Sequence, residues 1–175
     1  MVEFALVAPV LLLLVGGAVQ YAAILATKHS LIEIARDTAR WASTQFVYVP
    51  CANAATATPA QPVTRADELA VQAGLPGYSS GMWHGPANNA AGNFVSSTSA
   101  LPATAPFGEG VEVAWTGATC PTTNNATTAW VTIRVTHRIP IFLPGAWLIP
   151  GVCNDAACNV SLSSTSLFRM EPPPP

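Results

Sequence analysis

Between Glu3 and Lys28 the chain carries no charge: Phe4 to Thr27 reads FALVAPVLLLLVGGAVQYAAILAT. About 20 apolar residues of helix cross a bilayer's hydrocarbon core. This stretch therefore restricts the chain to folds rooted in a membrane or in a packed helical assembly. A cleaved signal peptide has basic residues ahead of a shorter apolar run. Here no basic residue precedes Phe4, and the run is too long. Pro9 and the pair Gly16–Gly17 are better tolerated in membrane helices than in soluble ones, and they mark places where the helix bends or loosens. Glu3 is the anomaly, a carboxylate at the very start of a segment that crosses lipid.

Helical character continues past the apolar run. Lys28 to Phe46 contains no Pro or Gly, and Leu31, Ile34, Ala35, Thr38, Ala42 and Gln45 recur at three- and four-residue steps, the signature of one helical face. Glu33–Arg36 and Asp37–Arg40 stand at i, i+3 spacing, where each pair adds a few tenths of a kcal/mol. The two parts predict one helix of about 40 residues and about 60 Å, ended by Pro50 at the latest. A loop over residues 50–63 follows. Thr64 reads as the N-cap of a short helix RADELAVQA, with Asp67 in the capping-box position, Ala66, Leu69, Ala70 and Ala73 on one face, and Gly74 as its stop.

Residues 76–106 are rich in Gly, Asn, Ser and Pro and read as a long surface loop with room for one short strand. Tyr78, Trp83 and Phe94 on it are candidate surface-contact residues. Strands follow. Val111 to Gly117 alternates, with Val111, Val113 and Trp115 on one side. Trp130 to Ile139 is the clearest, with Val131, Ile133, Val135, His137 and Ile139 facing one way and Thr132, Arg134, Thr136 and Arg138 the other. Asn159 to Glu171 is the last. Period-two alternation predicts an antiparallel sheet with one solvated face. Pro140 to Gly151 is apolar but broken by three prolines; it reads as a buried corner or a greasy contact surface. The tail PPPP reads as extended polyproline.

The 175 residues are half apolar and only 9% charged, with a net charge of −2. No basic field exists to hold nucleic acid. The low-charge texture, with 16 prolines and much Thr and Asn, suits an exported domain. Cys51, Cys120, Cys153 and Cys158 all follow the apolar segment, an even count that predicts two disulfides. Three pairings are open; Cys153–Cys158 with Cys51–Cys120 is favoured. Only Cys153 and Cys158 are close in sequence, so a zinc site is not expected. Lys28, Arg36 and Arg40 would remain cytoplasmic by the positive-inside rule, whereas disulfides place the same side outside. A basic leader ahead of Met1, since removed, reconciles the two, and the chain is then a processed form.

Catalytic patterns are missing from the sequence: there is no glycine-rich phosphate loop, no G-x-S-x-G and no close histidine pair. His84 has no partner nearby in sequence. His137 lies on an apolar strand face and reads as a satisfied core or edge histidine. Glu109 and Glu112 read as a turn residue and a solvated face, and Cys51 has no evident base. Asn125 and Asn159 fit the glycosylation acceptor pattern. Neither a cofactor nor catalysis is expected. The fold class expected is α+β: a helical stalk over residues 1–49, hydrophobic in 4–27, then a disulfide-stabilised β-rich head over 50–175 with a small antiparallel sheet and a short helix.

The segment VEFALVAPVLLLLVGG (Val2 to Gly17) resembles the N-terminus of TadE-like proteins, pilin-like subunits of the tight-adherence (Flp) branch of type IV pili. The resemblance continues in ARDTARWAS (Ala35 to Ser43), VTIRVTHRIPIFLPG (Val131 to Gly145) and SLSSTSLFRMEP (Ser161 to Pro172). It implies a structural subunit that polymerises through its N-terminal helix into an extracellular adhesive filament. The implied partners are copies of itself or other pilins, a prepilin peptidase and the inner-membrane assembly machinery. The subunit is held in the cytoplasmic membrane before assembly. The resemblance assigns assembly and register to Glu3, Phe4 and Pro9; Glu3 either takes a neutralising contact from a neighbouring subunit's N-terminal amine or only snorkels to the headgroups. The family's glutamate lies two residues deeper in the mature chain than Glu3 does here. Two other readings stand beside this one: a membrane-tethered module that binds a glycan or protein through Tyr78, Trp83 and Phe94, and a periplasmic hydrolase whose polar cluster would form only on folding.

Overall fold

A computed structural model describes residues 2–44, 60–84, 94–95, 109–116, 130–141 and 158–169. The architecture is α+β. Helix α1 (Val2–Thr44) leads into helix α2 (Ala60–Ala73), a 3-10 turn (Met82–His84) and strands β1 (Phe94–Val95), β2 (Gly110–Thr116), β3 (Trp130–Pro140) and β4 (Asn159–Arg169). The sheet order is β1-β2-β3-β4. The three long strands are antiparallel, and β1 adds a two-residue parallel edge beside Val113 and Ala114.

Helix α1 is continuous through Pro9 and through Gly16–Gly17. Its second half buries Leu31, Ile34, Ala35, Thr38, Ala39, Ala42 and Ser43, positions at three- and four-residue steps that form one stripe. Gln45 and Pro50 lie outside the described residues. The stripe packs on β3, β4 and α2. Helix α1 from Leu31 to Ala42 belongs to the same core cluster as Val111, Val131 and Ile133. Glu33, Arg36, Asp37 and Arg40 all point to solvent. The expected pairs among them are not among the ion pairs of the described residues, which are Arg65–Glu68, Arg134–Glu112 and His137–Glu109. Exposed pairs of that kind gain too little to fix two long side chains.

Helix α2 starts five residues earlier than the capping pattern suggests, at Ala60 instead of Arg65. Pro62 falls in its first turn, where its missing N–H removes a donor that would be unpartnered anyway. Thr64 is thus inside the helix rather than its cap, and the buried face is Val63, Ala66, Asp67 and Ala70, while Ala73 is exposed. The C-terminus is a Schellman motif: Leu75 N–H donates to Ala70 O (3.4 Å) and Gly74 N–H to Val71 O (3.2 Å), with Gly74 at φ +61°. Buried Leu75 makes the apolar contact that accompanies this motif.

Strand β3 follows its predicted alternation. Val131, Ile133, Val135, His137 and Ile139 are all at most 1% exposed. They face α1 and α2, together with Val111 and Val113 of β2 and with Leu162 and Phe168, which pack at the core's margin. Where β4 meets α1, the core-face positions Ser164 and Ser166 are small, which lets helix and sheet approach closely. The second face departs from expectation. Glu112, Arg134 and Thr136 are buried there rather than solvated, because register sets Glu112 directly opposite Arg134 and the two form an ion pair at 3.1 Å.

Two contacts fix the direction of α1 along the sheet. Gln20 Nε2 donates to Pro140 O at 3.4 Å, and Lys28 Nζ donates to Ser163 O, whose residue lies opposite Thr136. Helix α1 thus runs antiparallel to β3 and parallel to β4. From Gln20 to Thr44 the helix rises about 36 Å, and an eleven-residue strand spans about 36 Å. The head covers α1 from Gln20 to its end.

Candidate functional site

Ahead of Gln20 the helix is bare. Phe4 is 80% exposed, Leu12 70%, Leu14 69% and Val19 65%, and Val7, Val10, Leu11, Leu13 and Val15 are also exposed. Successive helical residues are about 100° apart, so Leu11 to Leu14 cover the whole circumference. A helix apolar on every side is stable only when lipid or other helices surround it. Helix α1 is long and apolar enough to cross a membrane. Pro9 sits in this bare half and is exposed. Glu3 lies in the first turn of α1, where unpaired N–H groups and the helix dipole favour a carboxylate; its side chain lies outside the described residues.

The head is locked by polar groups that link elements distant in sequence. Asp67, on the buried face of α2, accepts from Tyr78 Oη, from Gly81 N–H (2.8 Å) and from Ser80 Oγ (3.3 Å). One carboxylate thus holds the turn that follows its own helix. His137 on β3 is fully buried, with Nδ1 2.5 Å from Glu109 Oε1 and Nε2 2.9 Å from Pro76 O. Tyr78 and Trp83 pack on each other with ring centroids 4.6 Å apart, and both meet His137 edge-on. Burial pushes the Tyr78 phenol far above its ordinary value, and the Asp67 carboxylate adds to the shift. Burial likewise raises Glu112, with Arg134 opposing the rise.

These contacts revise several sequence expectations. Trp83 is fully buried and unavailable as a surface contact. Tyr78 is half-buried and its hydroxyl is engaged by Asp67. The turn was read as exposed because Gly and Ser dominate it, whereas the two aromatic rings carry it into the core. Phe94 falls on β1, the expected short strand, and its side chain lies outside the described residues. Glu112 is not solvated but faces Arg134, and Glu109, in the bend before β2, meets His137. His137 is the satisfied core histidine expected from its strand face. His84 ends the 3-10 turn, with its side chain outside the described residues, as are Cys51, Cys120 and Cys153. Among the described residues no group of three or more His, Cys, Asp or Glu could hold a metal. The Asp67 and Glu109–His137 contacts were invisible in the sequence, because they join residues 11 to 28 positions apart.

Residues 1–40 match the family model of TadE-like proteins. The match covers nearly all of α1, including both its bare half and most of the half packed on the sheet. No curated protein and no solved structure matches the chain.

Proposed function

We propose that this chain is a pilin-like structural subunit, not an enzyme, that polymerises through α1 into an extracellular Tad-type filament for surface attachment. The observation that carries this reading is the division of one helix. One half is fixed in the head, while the other is apolar and has no cover among the described residues. The TadE-like match falls on that helix. Lipid surrounds the bare half before assembly, and the same half of neighbouring subunits replaces the lipid in the filament. Prepilin peptidase and the inner-membrane assembly machinery are the processing partners, and no cofactor takes part. Two disulfides brace the head, with Cys153–Cys158 and Cys51–Cys120 as the pairing. Cys158 is disulfide-bonded, and its partner lies outside the described residues.

Glu3 sets axial register in this scheme. A carboxylate near lipid is costly unless paired, and a neighbour's N-terminal amine supplies the charge. Glu3→Ala leaves the head folded and reduces filament yield; filaments assembled at wild-type yield by the variant would remove the register role. The deciding experiment shears cells, pellets the high-mass fraction, images it by electron microscopy and identifies its main protein by mass spectrometry. Fibres composed chiefly of this chain establish a filament subunit. A chain found only as a membrane-bound monomer overturns the proposal.

A further inference from the structure

We propose that the head rests directly on the lipid headgroups before assembly, with its Pro140 end facing the bilayer, so that only Val2–Val19 lies in hydrocarbon. The inference builds on the membrane-rooted reading of α1. It names the surface of the head that meets lipid and moves the upper boundary of the membrane segment from Thr27 down to Gln20.

Three observations fix the level. Gln20 is the first buried residue among the described side chains of α1 and binds Pro140 O, so the head begins there. Gly77 lies against Pro140, with the position of an added Cβ 4.0 Å from Pro140 Cδ, and Ile141 N–H donates to Cys158 O at 3.1 Å. The Pro76–Gly77 turn, Pro140–Ile141 and Cys158–Asn159 therefore share the end of the head nearest the bare helix. Below this level Val2 to Val19 is about 27 Å long, close to the roughly 30 Å of a hydrocarbon core.

The seat is bounded from both sides. Exposed Arg138 stands two strand residues from Pro140, about 7 Å, and the Lys28 ammonium sits on the Ser163 carbonyl at a similar height. Sinking the head farther would carry these charges into hydrocarbon, which is strongly disfavoured. Lifting it would expose Val15 and Val19, which are open on their outer faces, to water. Tyr21, 63% exposed and one residue above the boundary, then falls at headgroup depth, where tyrosine is enriched. Within residues 20–27 one face meets the head, with Gln20 and Thr27 buried and Ala23 and Ile24 half-buried, while Tyr21, Ala22, Leu25 and Ala26 stay exposed.

The test labels single-cysteine variants of the full chain with a membrane-impermeant maleimide. The protein is inserted in phosphatidylglycerol/phosphatidylcholine vesicles, with wild type as background and S161C, on an exposed β4 position, as the reference for full access. L25C is expected to label at a rate within about threefold of S161C, and L13C at least tenfold more slowly. If L25C is as protected as L13C, the seating is overturned while the membrane anchor stands. If L13C labels as readily as S161C, the anchor reading itself fails, and the seating with it. Circular dichroism of each variant checks that the head remains folded.

Discussion

Two leucines on one helix separate the roles of its two halves. Leu31 is fully buried where α1 meets the sheet and α2, whereas Leu12 is 70% exposed in the bare half. Truncating a buried leucine to alanine costs 2–5 kcal/mol, the transfer of the lost carbons plus the cavity left behind. The neighbours of Leu31 include Ile34 and Ala35 on its own helix and strand residues held by ladder bonds, so little collapse is available and about 3 kcal/mol is the expected loss. For a chain of this size each kcal/mol moves the melting midpoint by roughly 2–4 °C, giving a fall of about 6–12 °C for Leu31→Ala. Leu12→Ala removes no contact with the head and shifts the midpoint by about 1–2 °C at most. The assay is thermal unfolding of the full chain in detergent, followed by near-UV circular dichroism. Flotation with vesicles reads the membrane role separately. Equal shifts from the two substitutions, or a Leu31→Ala shift under 2 °C, would refute the division of α1 into a core half and a bare half.

Gly74→Ala is expected to destabilise by about 1 kcal/mol. The added Cβ meets no atom within 4 Å, so the whole cost is the left-handed conformation at φ +61°, and denaturant titration measures it. Asp67→Ala strips the turn of three acceptor contacts. With water replacing those at exposed Ser80 and Gly81, the loss is about 2 kcal/mol, accompanied by faster amide exchange at Gly81. Burial raises the Glu112 carboxyl above its ordinary value of 4.5. The folded chain therefore retains this proton where the unfolded chain has released it, and stability falls as pH rises through the window above about 4.5. Glu112→Gln flattens that slope in denaturant titrations run as a pH series; an unchanged slope would assign it to another group.

How much of this was legible in the sequence depends on the range of the interaction. The helix from Val2 onward, the β3 alternation and the Gly74 stop rest on neighbours within about five residues, and the chain spells those out directly. Trp83 was misread because Gly, Ser and Asn around it signal a surface loop, and local composition says nothing about a ring inserted between a helix and a sheet. Glu112 was misread for a related reason. Alternation along β2 gives the face but not the strand beside it, and only the register that sets Glu112 opposite Arg134 makes burial tolerable. Residues 60–63 were read as loop, though the first-turn position of Pro62 removes its penalty in a helix. The upper limit of the membrane segment was hidden because hydropathy does not distinguish an alanine facing lipid from an alanine facing a sheet.

The composition of α1 follows from what each half must meet. The packed half is built from Ala35, Ala39, Ala42 and Ser43, and β4 offers Ser164 and Ser166 on its core face. Small residues on both sides bring the helix axis close to the sheet and keep its whole stripe in contact. The bare half carries Leu and Val instead, whose bulk fills space among lipid chains or neighbouring helices. Because helix and strands run along the same line, a pull on the bare half along its axis loads the head in shear. Gln20–Pro140, Lys28–Ser163 and the Leu31–Ala42 stripe then resist together over about 36 Å rather than opening one after another. On the proposed reading, a subunit held in a filament by its N-terminal helix needs this property. Placing Gln20 at the first point of contact serves it: the glutamine amide adds a directional bond where unzipping of helix from sheet would otherwise begin.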